Sequence, residues 1–468
     1  MSAFLPPHAN FPSKAMRTLL IVVSAASLFG QTASKSRNPL VEKIVESIDA
    51  KRIEGSLEKL ESFETRGNFS ETEHPTRGIG AARRWIADQF RQAGPRLQVR
   101  FDAYKLKKQS RIFRDVELVN VVAVLPGVRF PERQVLISGH YDSLNLRDAR
   151  RAPGGDPTPE EQERGAQLAA PGVSDDASGV AAAIELARVL AAHEFEKTLV
   201  FVAFAGEEIG LVGATLHAQK ARAEKQVIEA VLNSDIIGTE LSGDGRRINR
   251  AVRVFSADPQ DSPSRQLARY IKEIGERYYP RMETHLIFRH DRFGRGGDHT
   301  AFDVEGFPAV RFTSAVENYA HQHSATDTLA NASPEYVAHV SRIKAAVAAS
   351  LALAPPSPVT TVQRTRFGET TTTANLGRGK SGYDALLNWK EAAPVPDLAG
   401  YAVVMRSTLA PFWEKEIFAG KATQLLIPGV DIDNYVFGVK AIDSDGNESM
   451  VATYSAPPPR ARKVVAEP

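Results

Sequence analysis

Apolar residues recur at helical spacing in two early segments, at Val41, Ile44, Val45 and Ile48 and again at Ala82, Trp85, Ile86 and Phe90. Short, almost wholly apolar runs follow at residues 118–125, 135–138, 199–204 and 227–232. Runs of that length and composition suit strands covered on both faces. Residues 179–192 and Pro334–Leu353 again read as helices. Helices alternating with buried strands predict an α/β fold, a three-layer αβα sandwich with a mostly parallel central sheet. In such sheets a site lies in the loops beyond the strand ends.

The pattern changes at Ala354-Pro355-Pro356-Ser357-Pro358, a stiff stretch that cannot continue a helix. Beyond it come short β-patterned runs at 385–389, 400–405, Gln424–Ile427 and 435–442, with a turn at Asp443-Ser444-Asp445-Gly446-Asn447. The expected organisation is a catalytic domain over 35–354, a small all-β sandwich over 359–456 and a disordered tail over 457–468. Residues 1–33 read as an export leader, because Lys14 and Arg17 precede an apolar run at 19–29 and small residues follow. The run is too short to span a bilayer. The mature chain is therefore expected to be secreted or periplasmic, with no integral membrane segment.

The chain has 468 residues, and its net charge of +2 gives no electrostatic reason to expect nucleic acid or a membrane surface as partner. It contains no cysteine, which excludes a disulfide scaffold, a thiol nucleophile and thiolate-bound metal. Any metal must then be held by His and carboxylate, as in catalytic sites.

Five segments carry such groups. An apolar run ends in Gly139-His140-Tyr141-Asp142, where His140 can bind metal and Asp142, two residues on, can steady the imidazole. Asp175 and Asp176 are followed by Ser178-Gly179 at a helix start; adjacent acids there also serve as caps. The 199–204 strand runs into Gly206-Glu207-Glu208, which places a metal ligand and a general base side by side. Asp235 interrupts an apolar run, where a buried carboxylate needs a partner. In His321-Gln322-His323-Ser324-Ala325-Thr326-Asp327, one imidazole can complete a site. Nitrogen and oxygen donors without thiolate suit Zn²⁺ better than Mg²⁺ or Ca²⁺ and leave manganese and cobalt open.

These five segments, in this order, resemble the co-catalytic zinc aminopeptidases of peptidase family M28, over roughly residues 41–353. The resemblance implies two Zn²⁺ per chain. It implies that His140 and Asp235 hold one ion, Glu208 and His323 the other, and Asp175 bridges both. Glu207 is the general base, and Asp142 supports His140. The family pattern selects His323 over His321 and leaves Asp176 as a neighbour. Asp298 and His299, in a glycine-rich loop, resemble a family segment near the site, without an assignable role. Residues 145–170 exceed the shortest family members and are expected to be a surface loop. Ser143 and Ser178 are expected to be structural. The substrate is expected to be a peptide or protein. The resemblance chiefly implies an aminopeptidase; the acidic groups, with Asp142 and Asp176 tilting the balance, also suit an incoming amine, while Arg289, Arg292 and Arg295 weigh against this. A glutaminyl cyclase, a carboxypeptidase or dipeptidase, and a non-catalytic binding ectodomain are the alternatives. The C-terminal unit resembles a fibronectin type III sandwich and is expected to serve surface or polymer attachment.

Overall fold

The computed structural model describes residues 21–22, 37–149, 158–366 and 369–455. The expected leader and the tail from residue 457 lie outside these residues, apart from the short strand β1 (Ile21–Val22), which pairs with a C-terminal strand. The core of the chain is an eight-stranded sheet. Its strands are β2 (Gln98–Leu106), β3 (Val116–Leu125), β4 (Phe130–His140), β5 (Lys197–Phe204), β6 (Val227–Ser234), β7 (Ala251–Ser256), β8 (Glu283–Ile287) and β9 (Ala309–Ser314). They lie in the order β2-β3-β5-β4-β6-β9-β7-β8. The centre, β5-β4-β6-β9, is parallel throughout, while β2, β3 and β7 make antiparallel pairings. Strands 251–256, 283–287 and 309–314 carry no long apolar run, so the apolar pattern reveals only the middle of the sheet.

Both faces of the sheet are covered, which explains the continuous apolar runs. Along β3 and β5, Val121, Ala123, Leu199 and Phe201 join one core, whereas Val122, Val200 and Val202 join the other. The larger core lies under helices α1 (Pro39–Glu46), α2 (Ala50–Glu61), α3 (Gly78–Ala93), α5 (Ser178–Leu190), α7 (Pro263–Tyr278) and α9 (Pro334–Leu353). The smaller is covered by α6 (Val212–Ala223) and α8 (His299–Val304). The chain is thus the expected three-layer sandwich. The segment 145–170 is more than a loop: it contains α4 (Pro159–Gln167), started by a capping box between Thr158 and Glu161.

One close approach positions everything that follows. The start of α5 lies directly on the end of β4, where a Cβ on Gly139 would stand 2.7 Å from the backbone carbon of Gly179. Only glycine lets strand and helix come together here.

The C-terminal residues form short antiparallel sheets, as expected. The strands β12 (Leu376–Gly377), β13 (Ala385–Asn388) and β16 (Gln424–Ile427) make one, edged by β1. A second comprises β14 (Leu398–Ser407), β15 (Lys415–Gly420), β17 (Tyr435–Asp443) and β18 (Ala452–Thr453). The hairpin β10 (Thr361–Arg366) and β11 (Glu369–Ala374) stands beside them. Trp389 and Tyr401 meet edge to face in a separate core. This unit docks on α7 through mainly polar contacts. Arg277 pairs with Glu448 at 2.9 Å, the Tyr270 hydroxyl donates to the Glu448 carbonyl at 3.0 Å, and Arg406 pairs with Asp261. The proline-rich stretch is extended, and Ala354, Pro355 and Pro356 are buried.

Two outcomes test this arrangement. Gly139→Ala overpacks the strand–helix contact and is expected to destabilise the chain by about 1–3 kcal/mol, a typical cost of overfilling a core; a lower Tm by circular dichroism checks it. We propose further that Pro356 marks a domain boundary, because the C-terminal apolar core is separate from the two cores of the sheet and the seam is mainly polar. A chain ending there should fold with a lowered Tm. A truncated chain without a cooperative melt would show one shared core instead.

Candidate metal centre

The donor side chains arrive from three adjacent strands. Strand β4 ends on His140, β5 ends three residues before Glu207, and β6 ends one residue before Asp235. Because β5 and β6 both run parallel to β4 beside it, their C-terminal ends open at one edge. The turn Val173–Ala177, which leads into α5, adds Asp175; the loop after β9 adds His323.

Asp175 stands in the middle. Its Oδ1 lies 3.2 Å from His140 Nε2 and its Oδ2 lies 3.2 Å from His323 Nε2. His323 Nε2 is also 3.2 Å from Glu208 Oε2, and His140 Nε2 is 3.8 Å from Asp235 Oδ1. Two donor sets result, His140 with Glu207 and Asp235, and Asp175 with Glu208 and His323; in each, one ligand atom per residue lies within 4.8 Å of the others. His321 is turned away, its Nδ1 bonded to Thr326 Oγ1 at 2.9 Å. All five residues expected to bind metal are therefore brought together, with Glu207 beside them.

The residues present fit zinc. The donors are imidazole nitrogen and carboxylate oxygen, and His140 Nε2 and Glu208 Oε1 are buried with no hydrogen-bond partner. Buried polar atoms rarely go unpaired, and a cation at each set satisfies them. Electrostatics agree. Burial raises the pKa of Glu207 well above the usual carboxylate range and raises that of Glu208. Burial lowers that of His140, but the charge of Glu207 and the nearby aspartates outweighs it and pushes it up. Burial also works against ionised Asp235, yet the Arg311 guanidinium, 2.9 Å from Asp235 Oδ1, holds its pKa low. The hollow carries an excess of buried negative charge that invites cations.

A set of carboxylates behind the donors holds the loops in place. Asp142 accepts backbone N–H groups from Glu207 at 3.2 Å and Glu208 at 3.1 Å, and the Asn68 side chain at 2.7 Å. Its own backbone carbonyl, at 3.1 Å, is the nearer partner of His140 Nδ1; its carboxylate is 3.6 Å away. Asp176 accepts from the backbone N–H groups of His140, Gly179 and Ile236, tying three donor segments together. Both are fully buried and lie beneath the donors rather than in the cleft lining. Asp327 accepts from the Ser174 and Asp175 N–H groups, and burial pushes it up to about 7. Ser143 and Ser178 donate to the carbonyls of Ala170 and Ser174 and are structural.

Four features escaped the sequence reading. Arg66 is wholly buried and donates to the carbonyls of Tyr141, Pro171 and Gly172, joining the His140 and Asp175 segments. Arg311 bridges Asp235 and Asp291. Asn68 steadies Asp142. Helix α4 contributes Gln162, Gly165 and Ala166 to the cleft wall. A lone Arg or Asn gives no spacing signal, and each contact spans many residues of chain. Asp298 is buried near His140 and Asp142 with neither carboxyl oxygen hydrogen-bonded, and burial pushes it up to about 8. The cleft above the donors measures about 830 Å³, and Asp175, Glu207, Glu208, Asp235 and His323 line it.

Residues 120–348 match the model of peptidase family M28. A probable zinc metalloprotease of Pyricularia oryzae is 36% identical over 438 residues, 86% of this chain and 82% of that protein. One of Leptosphaeria maculans is 35% identical over 440 residues, 87% of this chain and 95% of its own length. The fold is shared with the LapA aminopeptidase of Legionella pneumophila, at a TM-score of 0.51 and 18% identity, covering 71% of this chain and 80% of that one. LapB of the same organism has a TM-score of 0.51 at 20% identity, covering 68% and 76%. With this likeness running through both the sheet and the donor loops, the chain belongs to peptidase family M28 and is a zinc metallopeptidase.

Proposed function

We propose that this chain is a two-zinc aminopeptidase that releases N-terminal residues from peptides. The observation that carries the two-metal reading is Asp175, whose two oxygens each face a different imidazole at 3.2 Å. His140 and Asp235 would hold one ion, Glu208 and His323 the other, with Asp175 between them. When bound, zinc lowers the pKa of water and polarises a carbonyl.

The chain's own groups do the rest. Glu207 lines the cleft within reach of His140 and Asp235 and takes a proton from the attacking water. As the carbon–nitrogen bond breaks, the same carboxyl returns that proton to the leaving amine. Asp142, through the N–H groups of Glu207 and Glu208, fixes base and ligand relative to each other; it is a positioning residue. No side chain forms a bond to the substrate.

The choice of the amino end rests on charge at the cleft. Three arginines near its rim that could bind a substrate carboxylate are already engaged. Arg292 pairs with Glu317 at 2.6 Å, Arg295 lies 3.6 Å from the same carboxylate, and Arg289 stacks over Phe293. A substrate carboxylate thus has no ready partner among these three, which leaves the free amino end as the favoured one. The LapA neighbour, named an aminopeptidase, is in keeping with this. We also propose that residues 1–33 direct export.

Glu207→Gln should retain zinc yet lose about 10²–10⁴-fold in kcat, as expected for loss of a general base. Glu208→Gln should instead lower zinc content, read by mass spectrometry of the metal. Exhaustive chelation should abolish turnover and zinc should restore it; a nearly normal kcat in the Glu207 variant would show the roles misplaced. With a matched pair of peptides, free and N-acetylated, only the free one should lose its first residue. Equal cleavage of both, or trimming from the carboxyl end, overturns the aminopeptidase reading.

A further inference from the structure

A second group of donors lies around α8, outside the cleft's donor sets. His299 and Asp303 stand four residues apart and so share a helix face. His290, from the segment after β8, packs over His299 with ring centroids 5.2 Å apart. One ligand atom from each of the three lies within 4.8 Å of the other two.

The hydrogen bonds show which atoms are left over. His299 is wholly buried, and its Nε2 faces two acceptors, the His290 carbonyl at 2.9 Å and an Asp291 oxygen at 3.5 Å. The ring proton therefore sits on Nε2, and Nδ1 carries a lone pair. That Nδ1 is buried with no hydrogen-bond partner. Asp303 repeats the arrangement. Its Oδ1 accepts from Ser264 Oγ at 2.5 Å, while its Oδ2 is buried and accepts no hydrogen bond. His290 Nε2 bonds Thr300 Oγ1 at 2.9 Å, which turns Nδ1 towards Asp303 Oδ2, 3.6 Å away. Each residue thus has one atom anchored by a neighbour and one left over, and the three residues approach within ligand reach of one another. Metal ligands are commonly oriented in this way by their outer partners. A buried nitrogen lone pair and a buried carboxylate oxygen, both without donors, are costly unless a cation meets them.

We propose that His290, His299 and Asp303 form a separate site for a divalent transition ion of the Zn²⁺ type. Two imidazoles and one carboxylate, without thiolate, match that class and do not match Ca²⁺ or Mg²⁺. The two rings are tilted by only 26°, so His290 turns to aim Nδ1 at the ion. Its side chain is 41% exposed, and among the described residues its one side-chain hydrogen bond is to Thr300, which permits the turn and leaves room for water as a fourth ligand. The site would act on the cleft at one remove. His290 and His299 bracket residues 291–298, and Gly294, Arg295 and Gly296 of that loop line the cleft. An ion joining the two ends would stiffen this wall, with an effect on KM more than on kcat.

The test counts metal on the full chain. Native protein, His290→Ala and Asp303→Asn are loaded with Zn²⁺, freed of excess ion and analysed by mass spectrometry of the metal. Each variant should hold one equivalent less than the native chain, whatever number the His140–His323 centre holds. His323→Ala should lose ions only from that centre and keep the equivalent that His290→Ala removes, so failure of the two-zinc reading leaves this comparison intact. His290→Ala alters a half-exposed side chain, which keeps the test decisive if Asp303→Asn does not fold. Equal zinc in native chain and His290→Ala, with both folded by near-ultraviolet dichroism, overturns the proposal and leaves His290 and Asp303 as an ion pair.

Discussion

Four carboxylates and two imidazoles share one buried hollow, and the design of the peptidase core follows from that crowding. Two like charges about 4 Å apart repel by about 4 kcal/mol at the effective dielectric of a protein site. Asp175, Glu207, Glu208 and Asp235 multiply this cost. The fold meets it in two ways. Arg311 lies against Asp235, and the ligand atoms are gathered into two sets suited to cations. The same excess of negative charge that would destabilise an empty hollow gives the site its affinity for metal.

Holding such groups in position needs rigid supports, and these are themselves acidic. Asp142, Asp176 and Asp327 each accept backbone N–H groups from the donor-bearing loops. Each carboxylate thereby converts a loose loop into a fixed one. The strand order contributes as much. With β4 flanked by β5 and β6 in parallel, three donor segments leave the sheet at one edge, and the glycine contact between β4 and α5 brings Asp175 over them. Glu207 and Glu208, adjacent in sequence, can then fall in different donor sets.

The C-terminal unit is attached by a different physics. Its seam with α7 is rich in charged groups, among them Arg277, Glu448 and Lys440, rather than in apolar area. Buried ion pairs specify how two bodies meet more than they bind them together. The buried proline-rich stretch, with φ limited at each Pro, fixes the same orientation from the covalent side. The sandwich is therefore carried in a set pose relative to the cleft.

Much of this was written locally in the chain. Continuous apolar runs identify the central strands because both faces of that sheet are covered, and helix Pro334–Leu353 is visible from its own periodicity and its proline start. The donors were legible for a related reason: His140, Glu207, Glu208 and Asp235 each follow directly on an apolar strand, so a polar group in an apolar setting stands out. The strands Ala251–Ser256, Glu283–Ile287 and Ala309–Ser314 did not stand out, since short strands with polar residues among the apolar ones resemble loops. Nor could the chain alone show that Arg66, Asn68 and Arg311 serve the site, or that Asp142 and Asp176 sit beneath it rather than in the cleft. Those facts depend on contacts across dozens of residues, which exist only once the sheet has set which strand ends are neighbours. Donor type is a property of the residue; distance, burial and charge balance belong to the packed structure.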